Sequence, residues 1–149
     1  MICDADFVLL DGNLPTETIR IAVEIADFYG TKVWYEPTDT AKMRKIFDAN
    51  VADKIDITSP NFNEFNVYCQ LINRKLPEEI LTEWKTNEMF DYISENADAY
   101  LRTLETLIVT VGPKGSIVLK RDSDGITRHL LYAPLEPDAV VSASGAGDW

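Results

Sequence analysis

The chain is short of the residues that most often make reactive chemistry. Among its 149 residues are two cysteines, Cys3 and Cys69, and one histidine, His129. Two cysteines that far apart give neither a disulfide framework nor a metal-ligand spacing, and they read as reduced thiols of a cytosolic protein. His129 falls in an expected edge strand with no Ser or Cys nearby in sequence. It reads as a surface or core histidine rather than a catalytic base. Gly and Pro number only 7 each, so collagen and low-complexity disorder are excluded. No apolar run approaches the roughly 20 residues of a membrane span. The N-terminal Met1-Ile2-Cys3-Asp4-Ala5-Asp6 is acidic and lacks the basic start of a signal peptide. Cations are scarce as well: 14 Lys and Arg stand against 25 Asp and Glu, a formal charge of −11. Such a surface repels phosphate backbones and anionic membranes, which excludes nucleic acid and lipid as general partners but leaves room for a local anion site. The Walker A pattern Gly-x-x-x-x-Gly-Lys-Ser/Thr does not occur.

What is present is the composition of one globular domain, 46% hydrophobic and 26% charged. Two periodicities alternate along it. Phe7–Leu10 is a short apolar run that ends in Asp11-Gly12-Asn13, as a buried strand entering a turn would. Pro15 and Thr16 open a helix with Ile19, Ala22, Val23 and Ala26 on one face and Gly30 as its stop. Lys32–Tyr35 reads as a second strand, 40–48 as a short helix and Lys54–Ile57 as a third strand cut off by Ser59-Pro60. A third helix carries Phe62, Phe65, Cys69 and Ile72 on one face. Residues 78–104 are helical by spacing, with a break near Thr86-Asn87. Leu107–Val111 is the strongest strand signal. Two hairpin turns follow, Gly112-Pro113-Lys114-Gly115 and Asp122-Ser123-Asp124-Gly125, with Ser116–Leu119 between them and His129–Tyr132 after. The order β-α-β-α-β-α-α-β requires parallel strands with right-handed crossovers, and the last third adds antiparallel strands at one edge. The expected fold is a three-layer α/β architecture on a mixed sheet. The sequence closes on a strand at Val140-Val141, a glycine loop and the first turn of a helix, so 1–149 is expected to be part of a larger domain.

Four segments carry candidate chemistry. In Ser144-Gly145-Ala146-Gly147-Asp148, glycines let successive N–H groups converge on an anion, and a following helix would add its positive end. Asp148 would then stand where it can take a proton from a hydroxyl attacking a phosphate. The same residues also fit a flexible tail with a solvated Asp. Asn61-Phe62-Asn63-Glu64 reads either as a helix capping box or as a pair facing the crevice at a strand's carboxyl end, where Glu64 could hold a Mg²⁺-bound water. Thr110–Gly115 reads either as a plain hairpin or as a nucleotide-lining loop. Asp11–Pro15, with Asn13, and Glu36–Asp39 lie at the same sheet edge, where ligands of open α/β sheets bind, but an Asx turn accounts for each as well.

In this order the motifs resemble the ribokinase-like PfkB family of carbohydrate and nucleoside kinases: Asn61-x-x-Glu64 after a strand, Thr110-Val-Gly112-x-x-Gly115 before a hairpin, and Gly145-Ala146-Gly147-Asp148. The resemblance runs from Asp6 to Asp148. The words Asp11-Gly-Asn-Leu-Pro15, Trp34–Asp39 and Ser59–Glu64 look most like the pseudouridine kinase branch, in which some animal members are fused to a pseudouridine-5′-phosphate glycosidase. The resemblance implies transfer of a phosphoryl group from ATP to a sugar hydroxyl, here the 5′-OH of pseudouridine. It implies Asp148 as general base and the backbone of Gly145, Ala146 and Gly147 as anion hole. Asn61 and Glu64 would position Mg²⁺ and phosphates, Glu64 through water. Thr110, Gly112 and Gly115 would line the nucleotide site, and Asn13 would face the substrate. Ser142-Ala143 stand where many members have Asp-Thr, at the position of a monovalent-cation site. Trp149 is bulkier than the residue that usually follows the Asp. Members of the family are about twice as long as this chain. The 149-residue chain is therefore expected to be an inactive fragment of a cytoplasmic enzyme, with an exposed apolar surface that favours a homodimer. The contrasting expectation is a non-catalytic nucleotide-binding or interaction module derived from a kinase core.

Overall fold

The computed structural model describes residues 2–131. Six strands form one sheet: β1 (Phe7–Asp11), β2 (Lys32–Glu36), β3 (Ile57–Thr58), β4 (Thr106–Thr110), β5 (Ser116–Asp122) and β6 (Gly125–Leu131), ordered in space as in the chain. β1 to β4 run parallel, and β5 and β6 are antiparallel additions at the edge. The expected mixed sheet is therefore observed. The helices are α1 (Thr16–Tyr29), α2 (Lys45–Asp48), α3 (Phe62–Leu71), α4 (Glu78–Thr82), α5 (Thr86–Glu95) and α6 (Ala97–Tyr100).

Because neighbouring strands follow one another in sequence, right-handed crossovers all fall on the same side of the sheet. Burial matches that geometry. Leu10, Tyr35, Thr58, Leu107 and Leu119 form one continuous cross-strand row, and all are buried. They join a single core with Ile19, Val23 and Ala26 of α1, Ile46 of α2, Phe65 and Cys69 of α3 and Ile93 of α5. Residues one step along the strands point the other way. There Phe7 and Leu9 are 51% and 61% exposed, and the Trp34 ring meets Phe7 at 6.2 Å. The described residues thus hold the sheet and one helical layer.

Local details follow from identifiable residues. Gly30 stops α1 at φ 70°, with its N–H on Asp27 O and the Thr31 N–H on Ala26 O, a paired closure that needs a left-handed residue. Three elements differ from expectation. The 40–48 helix is a 3-10 turn at Lys42–Arg44 that continues into the four residues of α2. The third strand is shifted to Ile57–Thr58: Ala52–Lys54 form a 3-10 turn, and the Asp56 carboxylate takes the Val33 N–H at 2.7 Å. A side-chain acceptor has thus replaced a ladder bond. The 78–104 stretch is three helices rather than two. Lys85 N–H donates to Glu88 Oε2 at the start of α5, and Asn96 Nδ2 donates to Tyr92 O at its end. β4 begins one residue early, and the second hairpin turn is the two residues Ser123-Asp124. His129 is exposed on β6, and Cys69 is a buried free thiol whose ionisation burial pushes far up. The expected strand at Val140-Val141 and the glycine loop lie outside the described residues.

Candidate functional site

The carboxyl ends of β1 to β4 share one rim, and the sequence motifs are the loops that leave it. At its centre Asn61 pairs with Thr110 as an isolated parallel bridge, and Thr110 N–H donates to Pro60 O at 3.0 Å. Sheet pairing therefore continues past β3 and fastens two motifs that are distant in sequence. Asn61, Thr110 and Gly112 line one pocket of about 290 Å³ with Phe62, Asn63, Leu81, Met89, Val111 and Lys114. Gly115 closes the loop, its N–H on Gly112 O and its carbonyl accepting from Val111 N–H. Gly112 sits at φ 59° and Gly115 at φ 106°, conformations that favour glycine at both motif positions.

The capping box at Asn61 is present. Asn61 Oδ1 accepts from Asn63 N–H and Glu64 N–H, both at 3.0 Å, and Glu64 Oε2 accepts from Asn61 N–H at 2.8 Å. The box does more than start a helix. It holds the Glu64 carboxylate, 2% exposed, beneath the rim. Desolvation raises its pKa, Glu36 and Asp39 add to the rise, and the Asn61 N–H opposes it. Tyr35 is affected alike: burial first, then Asp39, Asp11, Glu36 and Glu64 hold its hydroxyl in the neutral form. Four carboxylates thus act on one end of the sheet.

Two lysines tie the neighbouring loops together, and one of them meets a carboxylate. Lys42 Nζ reaches Asp39 Oδ2 at 2.7 Å, Asn13 Oδ1 at 2.8 Å and Thr38 Oγ1 at 3.3 Å. Its hydrogen bond keeps the Asp39 pKa low. Lys45 Nζ donates to Gly12 O and Leu14 O, each at 2.7 Å. Asn13 N–H closes the expected Asx turn on Asp11 Oδ1 at 2.7 Å, so Asn13 is brought to the second loop through Lys42. Gly12 is required where the loops touch, because a Cβ there would lie 2.1 Å from Pro37 O. Next to it Thr38, a β-branched residue, holds φ 64°. Such strain collects where surrounding structure over-determines a loop. Across the rim Trp34 Nε1 donates to Ser59 Oγ at 2.7 Å, and Ser59 Oγ donates to Glu36 Oε2 at 2.5 Å.

The structure thus unites Asn61, Glu64, Thr110, Gly112 and Gly115, and it places Asn13 farther along the same edge. Gly145, Ala146, Gly147 and Asp148 lie outside the described residues. The sequence motifs do not include Lys42, Lys45, Leu81 or Met89, and Ser59 enters them only as part of Ser59–Glu64. Among the described residues no three His, Cys, Asp or Glu side chains converge as direct metal ligands. Glu64 offers a single carboxylate, so a divalent cation beside it would need water or phosphate to complete its shell. No helix among the described residues is long and apolar enough to cross a membrane.

No protein-family model matches the chain, and no curated protein matches it in sequence. Its fold, in contrast, has many solved counterparts. A ribokinase from Arabidopsis thaliana, solved with ribose and ATP, superposes with a TM-score of 0.63 at 22% identity over 99% of this chain and 41% of its own. A ribokinase from Thermotoga maritima gives 0.66 at 19% identity over 99% and 41%. An adenosine kinase from Sinorhizobium meliloti gives 0.63 at 20% over 99% and 40%. The chain has the ribokinase-like fold, and it spans about two fifths of the length of these kinases.

Proposed function

We propose that residues 1–149 are part of an ATP-dependent kinase that phosphorylates the hydroxyl of a sugar or nucleoside, with the 5′-OH of pseudouridine as acceptor. The observation that carries this reading is the Asn61–Thr110 bridge, which fastens the two motifs together and brings Asn61, Thr110 and Gly112 into one pocket at the carboxyl ends of the strands. Ligands of open α/β sheets bind at that edge. The fold shared with sugar and nucleoside kinases supports the reaction class. The words at Asp11–Pro15, Trp34–Asp39 and Ser59–Glu64 support pseudouridine.

In this reading Thr110, Gly112 and Gly115 offer backbone and hydroxyl groups to the nucleotide, and the flat path over Gly112 admits a ring or ribose. Asn61 and Glu64 hold the phosphates through a hydrated Mg²⁺, whose charge offsets that of the phosphates. The capping box fixes where the Glu64 carboxylate stands before any ligand arrives. Asn13 faces the acceptor. Asp148 takes the proton of the attacking hydroxyl, and the N–H groups of Gly145, Ala146 and Gly147 stabilise the transferring phosphoryl group. The protein works in the cytoplasm as part of a longer polypeptide, with a pseudouridine-5′-phosphate glycosidase as a candidate fused neighbour. The open sheet face at Phe7, Leu9 and Trp34 lets the isolated chain pair into a homodimer.

The test is ADP formation from Mg-ATP by the native-length protein, once its intact mass is known. Pseudouridine, adenosine and ribose are compared as acceptors. The expected result is turnover favouring pseudouridine, with Asp148→Asn lowering kcat by about 10²–10⁴. The 149-residue chain alone is expected to form no ADP. Failure of the native-length protein with every sugar and nucleoside would sink the reading.

A further inference from the structure

The pocket at the Asn61–Thr110 bridge has a wall that phosphate binding does not require. Phe62, Leu81, Met89 and Val111 supply apolar surface on the same cavity as Asn61, Asn63, Thr110 and Lys114. The wall is drawn from α4 and α5 as well as from the motif loops. Within α4, Ile80 is 1% exposed and serves the core, whereas Leu81 is 41% exposed and lines the pocket. Met89, 5% exposed, backs the same wall from α5. Nothing lies within 4 Å of the Cβ position of Gly112, so a flat group can approach the backbone there. The polar side includes Lys114, which no carboxylate among the described residues pairs at salt-bridge distance. In a chain of charge −11, a cation in a pocket is a selective anion contact.

We propose that Leu81, Met89 and Lys114 are specificity-determining residues, with Leu81 and Met89 packing on the flat base of a nucleotide and Lys114 contacting its polyphosphate. The inference rests on the nucleotide-binding part of the kinase reading and adds the α4–α5 pair as a ligand-facing element. Apolar contact and cation act on different parts of one ligand, so they separate experimentally. A purine ring against Leu81 and Met89 is held by area, largely without regard to salt. The polyphosphate against Lys114 is held by charge that salt screens.

The experiment is titration of the full chain with ATP and with inorganic tripolyphosphate, in wild type, Leu81→Asp, Leu81→Ala and Lys114→Gln, at two ionic strengths. Leu81 is surface-exposed, so its variants should retain the wild-type thermal midpoint, and Leu81→Ala covers the case in which the Asp variant fails to fold. Leu81→Ala is expected to weaken ATP about three- to tenfold and Leu81→Asp at least about tenfold, with tripolyphosphate changed less than about twofold. Lys114→Gln is expected to weaken both ligands about three- to tenfold and to flatten their salt dependence. Unchanged ATP affinity in both Leu81 variants overturns the inference, and so does a wild type that binds neither ligand. ADP formation by the native-length protein separates the two readings. Turnover with an ATP KM indifferent to Leu81 and Lys114 overturns this inference alone. The binding split without turnover on any acceptor overturns the kinase reading alone.

Discussion

The two faces of the sheet have the same kind of residue and opposite fates. On one, Leu10, Tyr35, Leu107 and Leu119 are buried under helices. On the other, Phe7 and Leu9 stand largely in solvent beside a partly buried Trp34. Apolar side chains alternate to both sides of β1 and β4, as they do in parallel sheets covered on both faces. The difference arises from connectivity, since every crossover in residues 2–131 loops over one side. A sheet can therefore be written for two layers of cover while residues 2–131 supply one.

Substitution at matched positions tests that comparison most strongly. Leu107→Ala on the covered face is expected to cost about 2–5 kcal/mol in denaturant unfolding, from lost burial and the cavity left behind. Leu9→Ala on the open face should change stability by less than about 0.5 kcal/mol while reducing self-association in sedimentation. Equal losses would show that Leu9 is covered in solution. At the rim where the two faces meet, Gly12→Ala must push Pro37 O away from a 2.1 Å approach. A loss on the order of 1–3 kcal/mol is expected, read from the same unfolding curves. Asn61→Ala removes the one oxygen that accepts from both Asn63 N–H and Glu64 N–H and should cost about 1 kcal/mol, whereas Asn61→Asp should restore most of it. The smallest effect is one of pH. The Glu64 carboxyl titrates above its ordinary 4.5, so the folded chain holds a proton that the unfolded chain has released. This contribution is fully present below about pH 4.5 and is lost as pH rises through the raised value. Wild type should therefore lose stability relative to Glu64→Gln over that window, and parallel pH profiles would contradict the burial of Glu64.

How much of this was legible follows from where each signal resides. Alternation and glycine stops are local, so Phe7–Leu10, the α1 face and the Gly30 cap could be read directly. The parallel order followed from helices lying between strands. The shift of the third strand could not be read, because it depends on the Asp56 carboxylate reaching Val33 N–H across the sheet. The site divides the same way. Asn61-x-x-Glu64 and Thr110–Gly115 are contiguous words; the first forms the expected capping box, and its Asn61 lines the pocket. Lys42 and Lys45 carry no such word. Their roles arise only when the loops after β1 and β2 meet, and Leu81 differs from Ile80 only in the direction it faces.

The spatial order of the strands, identical to their order in the chain, bears on how the molecule is made. Among the described strands each new one pairs with the strand made just before it. The widest gap, from Thr58 to Thr106, is bridged by four helices that can form locally as they appear. On a ribosome the sheet can grow from β1 one strand at a time, each addition resting on a finished edge. The Asn61–Thr110 bridge then closes late, after β4, so the pocket is among the last parts of this segment to be assembled.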